Sequence, residues 1–179
     1  EPSPDKEKTE MAEKSLGLCK GSITSYDVTP LFRFRRFIHH FNTGVTTLKA
    51  FKKCDLFIDL TAGDSFTDIY GQYTFDSETN VKLLVKKLDK PLILGPQTYG
   101  PFNNEKNINK AIKAINSADL VLSRDEKSAD YIRKYTDKKV ETTTDLAFEL
   151  PYVRNNIQSD RIKVGLNISG LLISEKTEK

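Results

Sequence analysis

The chain has 179 residues, 37% of them apolar and 30% charged, with a formal net charge of +3. That size and balance fit a globular protein of one domain, or one domain plus a piece of another. They exclude the strong basic stripe of a nucleic-acid binder, and no apolar run approaches the roughly 20 residues of a membrane helix.

The opening, EPSPDKEKTE, is charged and has no apolar core segment, so no signal peptide is expected there. Residues 4–17 hold good helix formers with few large apolar residues, which suits a surface helix or a frayed start. KGSITSYDV suits a short strand or a loop. LFRFRRFIHHF (31–41) places Phe34, Phe37, Ile38 and Phe41 at helical spacing, with Arg33, Arg35, Arg36, His39 and His40 between them. This reads first as a core-packed amphipathic helix, and second as a membrane-surface helix or an anion site. His39 and His40 are adjacent, so on a helix they diverge and make a poor metal pair. Thr46–Lys53 suits another short helix.

From residue 55 the pattern becomes regular. Strands are expected near 55–60 (DLFIDL), 91–95 (PLILG), 119–123 (DLVLS) and 139–143, within KVETTTD. Between them lie three helical stretches. The first is capped by Ser77 and runs to about Leu88, with Val81, Leu84, Val85 and Leu88 on one face. The second starts at Asn103 or Asn104, ends near Ser117 and turns Ile108, Ala111, Ile112 and Ile115 inward. The third runs from about Asp125 to Tyr135. Strands alternating with helices over short connections predict right-handed βαβ units and a Rossmann-like, doubly wound parallel sheet. Residues 1–150 form this domain, with 1–45 the least regular part. PYVRNNIQSDR (151–161) reads as a linker. Residues 162–179 begin like the first strand of a second domain that is cut short.

Cys19 and Cys54 are far apart and match no metal spacing. They are expected to be reduced, buried or half-buried thiols. In open α/β sheets, ligands bind beyond the C-terminal ends of the strands. The ends here carry Gly63, Asp64, Ser65 and Asp68, then Gln97, Thr98, Tyr99 and Gly100, then Arg124, Asp125 and Ser128, then Asp145. Taken singly, each can be a plain turn or cap residue. Four polar strand ends together point to a site. No Walker loop, G-x-G-x-x-G or G-x-S-x-G motif accompanies them.

The words DLFIDLTAGDSFTDIYG, LDKPLILGPQTYGPF, ADLVLSRDEKSADYIRK, VETTTDLAFELP and IKVGLNISGLL stand in an order and spacing that resemble the polysaccharide pyruvyl transferase family. They cover roughly residues 54–151 and 162–172, while residues 1–45 match poorly and lack the glycine-rich opening such enzymes commonly have. The resemblance implies a glycosyltransferase-B-like enzyme of two domains, this chain being the N-terminal half with its active site in the cleft. It implies transfer of the enolpyruvyl unit of phosphoenolpyruvate to a sugar or lipid-linked saccharide. The product is a pyruvate ketal in exopolysaccharide, capsule or cell-wall polymer biosynthesis, made in the cytoplasm or at the inner face of the membrane. No cofactor or metal is called for.

By the same resemblance, Arg124, Asp64, Ser65, Gln97, Tyr99 and Ser128 bind substrate. Arg124 would grip phosphate or carboxylate through its planar fork. Its alternative is an ion pair with Asp125 or Asp145. The family's general acid is expected to be a histidine of the second domain. No histidine follows His40, so this chain alone would be inactive. The apolar residues of 162–172 would pack on the first domain, stay mobile or pair with another copy. Two other readings are a nucleotide-sugar glycosyltransferase and a non-catalytic binding relative.

Overall fold

The computed structural model describes residues 6–19, 21–22, 24, 26, 28–32, 41–60, 65–153, 161–162 and 164–166. Its contacts divide the chain into two units, Glu1–Phe148 and Glu149–Lys179. The first unit is α/β and Rossmann-like. It opens with helices α1 (Lys6–Ser15), α2 (Thr29–Phe32) and α3 (Phe41–Lys53). Strands β1 (Phe57–Asp59) and β2 (Ser65–Phe66) follow, then α4 (Gln72–Lys87) and β3 (Leu92–Tyr99). The unit continues with α5 (Glu105–Ser117), β4 (Leu120–Ser123), α6 (Glu126–Arg133) and β5 (Glu141–Thr142).

All pairings are parallel, in the order β1-β3-β4-β5, with β2 attached to the end of β3. The four expected strands therefore form, with β3 longer and the others shorter than their apolar runs. β2 was hidden inside an expected turn. It exists because Ser65 and Phe66 pair with Thr98 and Tyr99, a long-range contact that no local pattern announces.

One sheet face is the core. Leu92, Leu94 and Val121 lie there beneath Phe75 and Val85 of α4, Ala111, Ala114 and Ile115 of α5, and Ala129 and Ile132 of α6. Phe51 of α3 joins this layer by packing on Phe57, with ring centroids 4.9 Å apart. The opposite face presents Ile58, Ile93, Leu120 and Leu122, which the described residues leave exposed or half-buried.

Two helix caps fall where the sequence places them. Asn104 accepts from the Asn107 N–H at 2.9 Å and Asp125 from the Ser128 N–H at 2.7 Å. The helix expected to be capped by Ser77 starts six residues earlier. Its cap is Gly71, at φ 100°, with no side-chain hydrogen bond to mark it. Phe75 in that extra turn stacks on Phe66 and packs at a tilt against Phe102, so tertiary packing fixes the start. The helix expected at Thr46–Lys53 likewise begins earlier, at Phe41. Residues 33–40, with His39 and His40, lie outside the described residues.

Cys19 and Cys54 are free but exposed rather than buried. Cys54 closes α3, its Sγ donating to the Ala50 carbonyl at 3.4 Å. In the second unit, the described residues 162 and 164–166 form no strand, and Ile162, Val164 and Leu166 are exposed. They have no partner strand among the described residues, and a strand needs one to satisfy its backbone.

Candidate functional site

The C-terminal strand ends are bound to one another. The Gly100 N–H donates to the Phe66 carbonyl at 2.9 Å, and the Thr67 hydroxyl to the Pro101 carbonyl at 2.5 Å. Asp68 is 5% exposed. Its carboxylate accepts from the Asn103 N–H at 2.9 and 3.0 Å, from Asn103 Nδ2 at 2.8 Å and from Asn107 Nδ2 at 2.5 Å. One buried carboxylate thus ties the loop after β2 to the loop after β3 and to the first turn of α5. Gly100 must be glycine here. Its φ is +72° and a Cβ would collide with the ring of Tyr131, whose hydroxyl accepts from the Phe102 N–H at 3.1 Å.

Arg124 stands just past β4. Its Nε donates to Thr98 Oγ1 at 2.7 Å and its Nη1 to Asp145 Oδ2 at 3.0 Å. The guanidinium spans the ends of β3 and the segment after β5, with its side chain 26% exposed. Of the two ion-pair partners the sequence allows, the structure selects Asp145; Asp125 is instead the cap of α6.

Gln97, Tyr99 and Ser128 are brought together beside Arg124 but are buried. The Tyr99 hydroxyl donates to the Leu122 carbonyl at 3.1 Å. The Ser128 hydroxyl bonds both the N–H and, at 3.2 Å, the carbonyl of Tyr99. Gln97 donates from Nε2 to the Tyr99 hydroxyl at 3.4 Å, while its Oε1 is buried with no hydrogen-bond partner. Burial, with Asp59 nearby, pushes the Tyr99 phenol well above its ordinary value, so it stays neutral and offers a hydroxyl rather than a base. Ser65 enters the site by its backbone in β2. Asp64 lies outside the described residues.

Sequence reasoning missed a buried ion pair at the same strand ends. Lys82 of α4 is 1% exposed. Its Nζ lies 2.8 Å from Asp59 Oδ2, at the last residue of β1, and 4.1 Å from the centroid of the Phe66 ring. The signal was present: Phe75, Thr79, Lys82 and Val85, all buried, follow helical spacing, which puts an ammonium on the core stripe. β1 and β3 also approach closely here, since a Cβ on Gly95 would meet Leu60 Cδ2 at 2.6 Å and the Asp59 carbonyl at 3.2 Å. No group of metal-ligating side chains is found among the described residues.

A protein-family model, Polysaccharide pyruvyl transferase, matches residues 14–176. The chain belongs to the polysaccharide pyruvyl transferase family. The match reaches well beyond the motif words, into the N-terminal helices. No curated protein and no solved structure matches the chain. Membership makes the chain part of a transferase family whose name points to a saccharide acceptor. No described helix is long and apolar enough to cross a membrane. Within this chain the motif residues sort by surroundings. Arg124 meets solvent at the strand ends, while Gln97, Tyr99 and Ser128 are packed behind it.

Proposed function

We propose that this chain is the substrate-anion half of an enzyme that transfers the enolpyruvyl unit of phosphoenolpyruvate to a sugar. Two hydroxyls of one sugar add to C2 of phosphoenolpyruvate, C3 is protonated to a methyl group, and the C–O bond to phosphate breaks. Of the two hydroxyl protons, one is balanced by the new methyl C–H and the other leaves with phosphate. Such a reaction needs a fixed cation for a trianionic substrate and a shielded acid for C3.

The observation that carries the reading is Arg124. It is a part-exposed guanidinium at a strand end, oriented by Thr98 and Asp145. A positioned fork of this kind suits the carboxylate or phosphate of the substrate, and the N-terminus of α6 beside it favours an anion as well. In this proposal Arg124 contacts substrate, together with Asp64 and with Ser65 of β2. Gln97, Tyr99 and Ser128 act from behind, holding the β3 end to α6. The acid belongs to the second domain that the family resemblance implies, and the reaction runs where phosphoenolpyruvate is made, in the cytoplasm.

Two measurements test this. The chain should bind phosphoenolpyruvate in a calorimetric titration, and Arg124→Ala should abolish the heat. In the full-length enzyme, Arg124→Ala should lower kcat/KM for ketal formation on the order of 10²–10³-fold, and Arg124→Lys should recover only part of it. Retained binding in Arg124→Ala, or lost activity explained by a large fall in melting temperature, would assign Arg124 to the Asp145 ion pair alone.

A further inference from the structure

Parallel strands joined by crossover helices put the C-termini of α4, α5 and α6, and of α3 leading into β1, at one end of the domain, opposite the strand ends just described. Lysines gather there. Lys52 and Lys53 end α3 and Lys86 and Lys87 end α4, where cations complement the helix dipole. A cleft of about 610 Å³ opens at this end of α4, lined by Leu31, Phe32, Leu83, Leu84, Asn80 and the lysines 86, 87 and 113. Two facts go beyond dipole matching. Lys113 is not in the last turn of α5, so it complements no helix end. Among the described residues no acidic side chain lines the cleft, although the helices around it carry acids elsewhere, such as Asp76, which holds Lys110.

The cleft therefore combines a half-buried aliphatic and aromatic floor, from Leu31, Phe32, Leu83 and Leu84, with a rim of three exposed lysines. Its volume lies within the range that holds a small amphiphile. We propose that this end of the domain docks on a membrane surface bearing anionic lipid, whose phosphate the three lysines clasp while an acyl chain lies on the apolar floor. Charge complementarity selects the occupant. A neutral partner would leave the three lysines of the rim without a counter-charge from the described lining, and a purely hydrophilic anion would leave the floor wet. Docking through this end would leave the strand-end site facing away from the lipid surface. The inference does not rest on the pyruvyl-transfer reading.

The test is sedimentation with vesicles of phosphatidylcholine alone and of phosphatidylcholine mixed with phosphatidylglycerol. The chain should sediment with the anionic vesicles only, and added salt should release it. Lys86→Gln/Lys87→Gln/Lys113→Gln should weaken partition roughly a hundredfold, at about tenfold or less per lysine removed. All three side chains are exposed, so the melting temperature should not move; if the triple variant fails to fold, the lipid and salt dependence of the unaltered chain decides. Equal behaviour with both vesicle types, or a folded triple variant that binds as well as the unaltered chain, overturns the proposal. Binding to soluble polyglutamate as tightly as to the vesicles overturns it too, and would assign the cleft to acidic peptides.

Discussion

Lys82→Met removes an ammonium from the interior while keeping most of the side chain's volume. In the unaltered protein this ammonium is 1% exposed, paired with Asp59 at 2.8 Å and seated 4.1 Å from the Phe66 ring centroid. Removing one partner of a buried pair costs about 3–5 kcal/mol, because the other charge is left uncompensated. Asp59 keeps 23% of its side-chain exposure and can draw on water, so the lower figure applies, ~3 kcal/mol. For a chain of this size that is a fall in melting temperature of roughly 6–12 °C. Chemical denaturation gives the same quantity at one temperature. Asp59→Leu alone should cost more, since it takes the carboxylate from a fully buried ammonium and leaves it weaker acceptors such as the Glu78 carbonyl at 3.5 Å. Lys82→Met/Asp59→Leu should return close to the unaltered stability, because an apolar pair carries no desolvation penalty. The double-mutant cycle isolates the coupling. A Lys82→Met protein as stable as the original, or a double variant showing the sum of the two losses, would refute the reasoning and make Lys82 a dispensable core lysine.

Asp68→Ala should cost about 3 kcal/mol in denaturant unfolding, since it leaves the Asn103 N–H without its acceptor and takes from the Asn107 amide one of its two, Gln72 Oε1 remaining. Unchanged stability would show that water replaces the carboxylate. For Asp76, burial pushes the carboxyl up, but hydrogen bonds from Lys110 and Gln72 outweigh it and hold the group below 3.8. A depressed carboxylate stabilises the fold above its unfolded value and loses that contribution as pH falls through the folded value. Asp76→Asn should therefore melt below the original at neutral pH, by about 0.5 kcal/mol for so exposed a pair. The gap should close as pH drops below 3.8; a gap constant with pH would contradict the assignment.

Strands β1, β3 and β4 were legible because each holds a short apolar run bounded by turn residues, and burial on a covered face selects such runs. Asn104 and Asp125 were legible as caps because a side-chain acceptor leaves a sequence signature. The start of α4 was not, since Gly71 caps it without a side chain and Phe75 is fixed by rings distant in sequence. Arg124 could be singled out, yet nothing local decides between Asp125 and Asp145 as its partner; the answer depends on where the segment after β5 runs. Lys82 was overlooked because a lysine on a helix is taken as solvated, although its position in the buried stripe argued otherwise.

The bonding of the two strand-end loops has a consequence for how this family can change. Loops are usually where insertions are tolerated. Here the segment after β2 and the segment after β3 share the Asp68 carboxylate, the Thr67–Pro101 bond and the Gly100–Phe66 bond. A residue added between Phe66 and Asp68 would shift the register of both loops at once, and one added between Gly100 and Asn103 would do the same. Lengthening in either must therefore be matched in the other, so divergence at this end of the sheet should be carried by substitutions there, or by length changes in segments outside this weld, such as the one from Thr143 onward.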